Sequence, residues 1–140
     1  MRINIISETR RRIPRKKIKN LMVLIEEEED PPDSILNIIL ARDHLLKKLN
    51  RQYRGMSRAT DVLSFAIDTE FGEGSVLGEV YISTDRAEAS ARAIGISFTS
   101  EVLRLCCHGV LHLLGYDHTL ATDREAMQAR EEYYLGRLHS

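Results

Sequence analysis

Three of the five histidines of this 140-residue chain lie within one eleven-residue segment, HGVLHLLGYDH, and this segment constrains the fold most strongly. His108 and His112 are four residues apart, a spacing that puts two imidazole rings on one face of a helix, one turn apart. Gly115 follows, and glycine readily takes the left-handed conformation that ends a helix. The chain can then turn sharply and bring His118 back toward the other two histidines.

Three neutral imidazoles that meet at one point form a good site for Zn²⁺, which binds nitrogen ligands at about 2.0–2.1 Å. We predict that His108, His112 and His118 bind one transition-metal ion, zinc by preference, although imidazole also suits Ni²⁺ and Co²⁺. Structural zinc sites usually have four protein ligands, whereas catalytic sites leave one position open. Cys106 and Cys107 do not share the helix face of the histidines, so we expect them in the core and the metal site open.

Hydrophobic periodicity predicts four strands and five helices. The strands are expected at residues 1–7, 34–41, 62–67 and 78–83, and the helices at about 14–29, 43–53, 84–95, 99–115 (with Thr99 as the cap) and 121–138. The first two strands flank a helix, which predicts parallel pairing through a right-handed crossover, and the last two strands are expected to pair antiparallel. The prediction is an α+β fold, with a small mixed four-stranded sheet packed against about five helices, in a single domain over residues 1–140.

Charge and cysteine content bear on the partners and the compartment. The formal net charge of −1 shows no global excess that would indicate a nucleic-acid or membrane partner. Six of the nine residues from 9 to 17 are basic, and this run either follows an RNA backbone or forms a solvated face. The two cysteines are adjacent, the N-terminus resembles no secretory signal, and no apolar stretch approaches the roughly 20 residues of a membrane helix. A cytoplasmic location is therefore expected.

Two other functions compete with a metal-dependent nuclease. The histidine spacing H-x3-H-x2-G-x2-H is also that of metzincin proteases, in which a glutamate follows the first histidine and acts as general base. That position is Gly109 here, which disfavours a peptidase or amidase. The other alternative is a non-catalytic, zinc-stabilised module that binds ribosomal components, and it predicts that the fold is lost without metal.

Several motifs in the same order along the chain are similar to those of the bacterial YbeY family, the metal-dependent endoribonucleases of ribosomal RNA maturation. The similarity covers about residues 42–130. It rests on HGVLHLLGYDH, on TDVLSF at 60–65 and LGEV at 77–80, on residues 49–50 and 53–55, and on Glu101 and Met127.

The resemblance implies a cytoplasmic, zinc-dependent endoribonuclease specific for single strands, which acts at the 3′ end of 16S rRNA and in ribosome quality control. It implies that His108, His112 and His118 are the zinc ligands and that Arg54 is catalytic. A guanidinium can bind a phosphate through two nitrogens and oppose charge that develops at phosphorus; the alternative for Arg54 is a surface cation paired with Asp61. Ribosomal RNA, ribosomal subunits and associated factors are the expected partners, and neither DNA nor a membrane is expected.

The sequence departs from the family pattern at three positions. Ser57 and Ala59 stand where the family commonly has aspartate and proline, and Ala66 stands where a proline usually follows the Ser-Phe pair. None of the three is a predicted metal ligand, so the departures bear on rate and substrate preference rather than on fold or metal. Asp61 and Ser64 are further candidates to shape the site, each equally well explained as a capping or surface residue. Asp117 is a candidate to orient a ligand histidine, although a capping or solvent-facing role is slightly favoured.

Overall fold

The computed structural model describes residues 1–54, 60–67, 75–116 and 120–139, with Arg54, Ser75 and Val76 described in their backbone only. Four strands and five helices lie within these ranges, and the predicted α+β class is confirmed. In chain order they are β1 (Arg2–Ser7), α1 (Arg15–Glu29), β2 (Ser34–Ala41), α2 (Asp43–Arg54), β3 (Val62–Ala66), β4 (Ser75–Ser83), α3 (Thr84–Ile94), α4 (Phe98–Leu113) and α5 (Ala121–Leu138).

The four strands form one mixed sheet with the order β1-β2-β4-β3. β1 pairs parallel with β2, and β2 pairs parallel with β4. β3 pairs antiparallel with β4 and forms one edge of the sheet. The predicted parallel pairing of the first two strands and antiparallel pairing of the last two are both confirmed.

Successive side chains of a strand point to opposite sides of the sheet, so the strands contribute residues to both faces. Helices cover both of these faces. On one face Val80 and Ile82 of β4 belong to the larger core cluster, together with the buried side of α1 and most of α4. On the other face Ile39 and Leu63 pack with Leu46 of α2 in a smaller cluster. α3 and α5 pack against α4 on the first face. Among the described helices, α2 is therefore the one that covers the second face.

α4 lies at the centre of the larger cluster and contacts β3, β4 and the other three helices of that face. Nine of its sixteen residues are buried, which accounts for its apolar sequence. Among the described helices, none is by itself long and apolar enough to cross a membrane. α3 and α4 reach that length and composition only together, as a pair bent by 117°.

Most boundaries lie within two residues of the predicted ones, and two of the differences have an identifiable cause. Ser97, rather than Thr99, is the N-cap of α4, because the Ser97 side chain accepts a hydrogen bond from the Ser100 N–H at 3.0 Å. β4 begins at Ser75, three residues before the predicted start at Gly78, because the added residues pair with the first residues of β2.

Candidate metal centre

Between Ser100 and His112 the accessible surface of α4 is reduced to one stripe, and this stripe contains both described histidines. Ser100, Arg104, His108 and His112 follow one another at four-residue intervals and are half-buried, whereas every residue between them is buried. Side chains four residues apart lie on the same side of a helix. The structure therefore places the two histidines, as their spacing predicts, on one accessible face.

The helix ends just after His112, where the sequence predicts a sharp turn. Gly115 has a φ of 105°, in the left-handed region that favours glycine, so its predicted conformation is confirmed. Tyr116 then donates its hydroxyl hydrogen to Glu29 of α1 at 2.8 Å, which ties the residue after the turn to α1. The third predicted ligand, His118, lies outside the described residues, and its place in the site stays a prediction.

α5 contributes a carboxylate that sequence reasoning missed. Glu131 Oε1 lies 2.5 Å from His108 Nδ1, and the Glu131 side chain is only 12% exposed. Because an ionised carboxylate only accepts hydrogen bonds, Nδ1 carries the hydrogen in this contact and Nε2 holds the lone pair. A carboxylate on the second nitrogen of a metal-binding histidine fixes the tautomer and orients the ring.

Arg104, one turn before His108 on the same stripe, is held in place by Glu101. Arg104 Nε lies 2.5 Å from one carboxylate oxygen of Glu101, and its NH2 lies 3.1 Å from the other. The Glu101 side chain is completely buried, while that of Arg104 is 41% exposed. The hydrogen bond to Glu101 raises the pKa of Arg104, so this guanidinium is a fixed cation beside the histidines.

A groove of about 450 Å³ runs between α4 and α5 and opens beside His108. Its walls carry charges of both signs. The lining residues are Arg104, His108, Arg124, Met127, Gln128, Glu131, Glu132 and Leu135.

Cys106 and Cys107 do not contribute to the stripe. Both are free cysteines and fully buried, so their predicted core location is confirmed. Desolvation by burial raises the pKa of both thiols, that of Cys107 to about 12. Both sulfurs lie in the core, off the accessible stripe, so neither is placed to share an ion with the histidines.

Gly109, which stands where metzincin proteases have their catalytic glutamate, faces the sheet. A Cβ atom added at Gly109 would lie 2.5 Å from Val80 Cγ1 and 3.1 Å from Ser64 Oγ. The Ser64 hydroxyl also donates to the Gly109 carbonyl at 3.0 Å, which ties β3 to α4. A side chain at this position would therefore point into the sheet and not along the histidine stripe.

Arg54 is the last residue of α2, and its side chain lies outside the described part of the structure. The preceding Tyr53 packs edge-on against Phe65, with ring centroids 5.5 Å apart, so the end of α2 is held over the edge strand β3. α2 covers the sheet face opposite α4. The catalytic role of Arg54 stays a prediction.

The remaining sequence candidates are distributed around β3. The Asp61 carbonyl accepts the Ser83 N–H at 2.9 Å, and its carboxylate is close enough to Arg104 to contribute to the raised pKa of that arginine. Ala66 ends β3 opposite Gly78, whereas Ser57, Ala59 and Asp117 lie outside the described residues. Within the described ranges, no three histidine, cysteine or acidic side chains converge on one point that could hold an ion.

The comparison with known proteins bears directly on this site. The sequence model of the family "Endoribonuclease YbeY" matches residues 4–139. The chain belongs to the YbeY family. The match extends over the N-terminal forty residues, which by their motifs resemble the family only in general layout.

Two relatives and one solved structure illustrate the similarity. A YbeY endoribonuclease from Desulforamulus reducens is 42% identical over 122 residues, which are 83% of this chain and 80% of the relative. A second, from Chlorobaculum tepidum, is 35% identical over 138 residues, 99% of this chain and 98% of the relative. The solution structure of TM1509 from Thermotoga maritima matches with a TM-score of 0.66 and 32% identity, covering 97% of this chain and 88% of that one.

The side chains of this YbeY-family chain fit a transition-metal ion that prefers nitrogen ligands. Two imidazoles share one accessible stripe, and the Glu131 carboxylate on His108 Nδ1 leaves the Nε2 lone pair available to an ion. The nearby thiols are buried, and burial raises the pKa of both. This donor chemistry suits zinc, nickel or cobalt better than magnesium or calcium, which prefer oxygen ligands.

Proposed function

We propose that this chain is a zinc-dependent endoribonuclease that cleaves single-stranded RNA, and that it acts in maturation of the 16S rRNA 3′ end and in ribosome quality control. Membership of the YbeY endoribonuclease family supports RNA hydrolysis. The observation that carries the metal dependence is the stripe of His108 and His112 with Glu131 behind it. A cytoplasmic location and ribosomal subunits as partners belong to the same proposal and rest on the resemblance.

The residues of the stripe have distinct roles in this proposal. His108, His112 and His118 would hold the ion, which supplies Lewis acidity toward a phosphoryl oxygen when it is bound. Glu131 keeps His108 in the tautomer whose Nε2 lone pair is free to bind the ion. The general base is not assigned.

Two arginines could bind the phosphate at which the RNA is cut. Arg104 is fixed by Glu101 one turn from His108 and lines the groove between α4 and α5. A cation held in this position opposes the negative charge that develops at phosphorus, without having to reorganise during the reaction. Arg54 has the same predicted role from the other side of β3.

The structure argues against the two competing functions. A peptidase base at Gly109 would point into the sheet. A zinc-stabilised binding module needs the metal for its fold, yet the largest buried side chains, among them Tyr134 and Leu103, form a core at whose surface the two histidines are only half-buried. We therefore expect metal-free protein to stay folded, unlike a structural zinc domain.

The test is cleavage of end-labelled single-stranded RNA by purified protein, before and after removal of metal with a chelator. The proposal predicts cleavage that the chelator abolishes and added zinc restores, while circular dichroism shows the same fold throughout. Single-stranded DNA and a peptide serve as substrate controls. Absence of cleavage by folded, zinc-loaded protein would contradict the nuclease proposal, and loss of the fold in the chelator would favour the binding module.

A further inference from the structure

A cleft of about 480 Å³, separate from the groove beside His108, has walls whose charged side chains are all cationic. It lies at the N-terminus of α1, beside the first turn of α4. The lining residues are Arg12, Ile13, Pro14, Arg15, Lys16, Lys17 and Thr99. This cleft, called the basic cleft below, contains four of the six cations of the basic run at residues 9–17.

Two other concave surfaces have charges of both signs in their walls. The groove beside His108 has Arg104 and Arg124 together with two glutamates in its walls. A third cleft has three arginines in its walls, of which Arg11 pairs with Glu88 and Arg42 pairs with Asp85. Among the described residues, by contrast, no carboxylate lies within ion-pair distance of the lysines or of the Arg12 and Arg15 side chains that line the basic cleft.

The charges of α1 run against its helix dipole at both ends. Its first turn has no acidic residue and its last turn has no basic one, whereas a helix dipole favours acidic residues at the start and basic residues at the end. The chain compensates the acidic end. Glu29 accepts hydrogen bonds from Tyr116, Tyr134 and Arg130, and Glu26 pairs with the amino group of Met1.

At the basic end Arg15 donates to the Ile5 carbonyl at 2.8 Å, but none of the cleft's cations pairs with a carboxylate of the described chain, which points to a polyanion as their partner. We propose that the basic cleft is a second contact surface for the phosphate backbone of the RNA substrate, outside the site of cleavage. This inference rests on the proposed function. Each lysine or arginine that neutralises a phosphate releases a condensed counterion, so binding through the cleft is strongly salt-dependent.

The location of the cleft allows one RNA strand to contact it and the candidate metal centre together. Thr99, in its wall, and His108 are nine residues apart on α4, which is about 14 Å along the helix axis. A membrane surface fits less well, because peripheral binding to lipid uses exposed apolar side chains beside the cations. Among the described residues, the exposed large apolar side chains all lie outside the basic cleft.

The test compares two triple variants that remove the same charge. The first, Arg12→Gln/Lys16→Gln/Lys17→Gln, removes exposed cations of the basic cleft. The matched control, Arg42→Gln/Arg86→Gln/Arg92→Gln, removes exposed cations that are each paired with a carboxylate. The measurement is the dissociation constant for a single-stranded RNA of about 16 nucleotides over a series of salt concentrations, with thermal unfolding to verify that both variants are folded.

We expect the slope of log K against log salt to decrease in magnitude by about 2 in the first variant, since each phosphate contact to a single strand contributes about 0.7. Its affinity should be roughly tenfold weaker or more at low salt, while the control stays near wild type. Cleavage by wild type together with an unchanged slope in the first variant overturns this inference and leaves the nuclease proposal standing. If RNA binding depends on the cleft but zinc-loaded wild type does not cleave RNA, the inference stands and the nuclease proposal is contradicted. Loss of binding to anionic lipid vesicles, with RNA binding unchanged, overturns the inference in favour of a membrane surface.

Discussion

At the scale of single residues, the contact between His108 and Glu131 governs how the candidate centre can bind metal. Nε2 can donate to a metal only while Nδ1 carries the ring hydrogen, and the carboxylate 2.5 Å away stabilises that tautomer. Glu131 is mostly buried and comes from a different helix, so the packing of α5 on α4 controls the orientation of the imidazole.

Replacing this carboxylate should weaken metal binding without unfolding the protein. We predict that Glu131→Ala lowers zinc affinity about 10–100-fold, measured by competition with a chelating dye, because second partners of metal-binding histidines have effects of this size. Glu131→Gln, which keeps an acceptor oxygen, should lose less. Glu132→Ala, at the exposed neighbouring position, is the control. Equal zinc affinity in wild type and Glu131→Ala would remove Glu131 from the site.

The two cysteines offer a second prediction at this scale. Burial raises the pKa of Cys107 to about 12 and that of Cys106 further, so neither thiol forms an appreciable thiolate at pH 8. Alkylation by iodoacetamide, followed by mass spectrometry, should therefore be negligible in folded, metal-free protein and complete in urea. Rapid labelling of the folded protein that zinc suppresses would instead indicate a thiolate ligand.

At the scale of elements, the close contact between α4 and the sheet makes Gly109 a packing position. A Cβ at Gly109 would lie 2.5 Å from a methyl group of Val80, a stiff β-branched side chain. We predict that Gly109→Ala destabilises the fold by about 1–3 kcal/mol through overpacking. The control is Gly136→Ala on α5, where an added Cβ meets nothing within 4 Å; it should stabilise by about 0.5 kcal/mol. Urea unfolding measures both, and equal effects would contradict the contact.

The acidic end of α1 should make stability depend on acid pH. Burial acts to raise the pKa of Glu29, but hydrogen bonds from Tyr134, Tyr116 and Arg130 outweigh it, and the pKa lies below its ordinary value of 4.5. A group whose pKa is lowered in the fold stabilises above its ordinary value, and this contribution is lost as pH falls through the folded value. We predict that Glu29→Gln lowers stability at pH 7 by about 1–3 kcal/mol.

The same contribution should disappear from wild type in acid. The difference in unfolding midpoint between wild type and Glu29→Gln should therefore narrow below the ordinary pKa of 4.5. Glu27→Gln, an exposed position on the same helix, controls for removal of one charge. If the difference in unfolding midpoint between wild type and Glu29→Gln does not change with pH, the ionised carboxylate does not stabilise the packing of α1 against α5.

Element boundaries could be predicted from sequence where local signals are strong. β2 and α5 occupy the predicted residues, because their apolar patterns are flanked by proline and polar residues. The start of β4 and the cap of α4 were wrong. The start of β4 depends on the pairing of Ser75 with Ser34, which is distant in sequence. The cap of α4 depends on which of several nearby hydroxyl side chains accepts the hydrogen bond, and this side chain is that of Ser97. Local sequence reveals neither.

The site could be predicted only in its local part. The four-residue spacing of His108 and His112 indicates a shared face, but Glu131 is 23 residues beyond His108 and no periodicity links two helices. One signal was available in α5. Glu131 follows the buried Met127 by one turn, so it is an acidic residue on the inward face of a helix, where a carboxylate needs a partner.

At the scale of the whole molecule, fold and function rest on different residues. The large core beneath α1, α4 and α5 maintains the fold, while the half-buried stripe at its surface would supply the metal donors of the proposed centre. The net charge of −1 conceals a separation of charges along α1, in which the acidic end is engaged within the chain and the basic end faces outward. This division leads us to expect protein that is folded but inactive without metal.

Titration of metal-free protein with zinc, with cleavage of single-stranded RNA as the readout, tests the central claim most directly. The account predicts no cleavage before zinc is added, a rise in proportion to added zinc and a plateau at one ion per chain. The same titration of folded His112→Ala should stay near the baseline. Full cleavage by metal-free protein, or a wild-type titration curve in His112→Ala, would contradict a metal centre built on the histidine stripe.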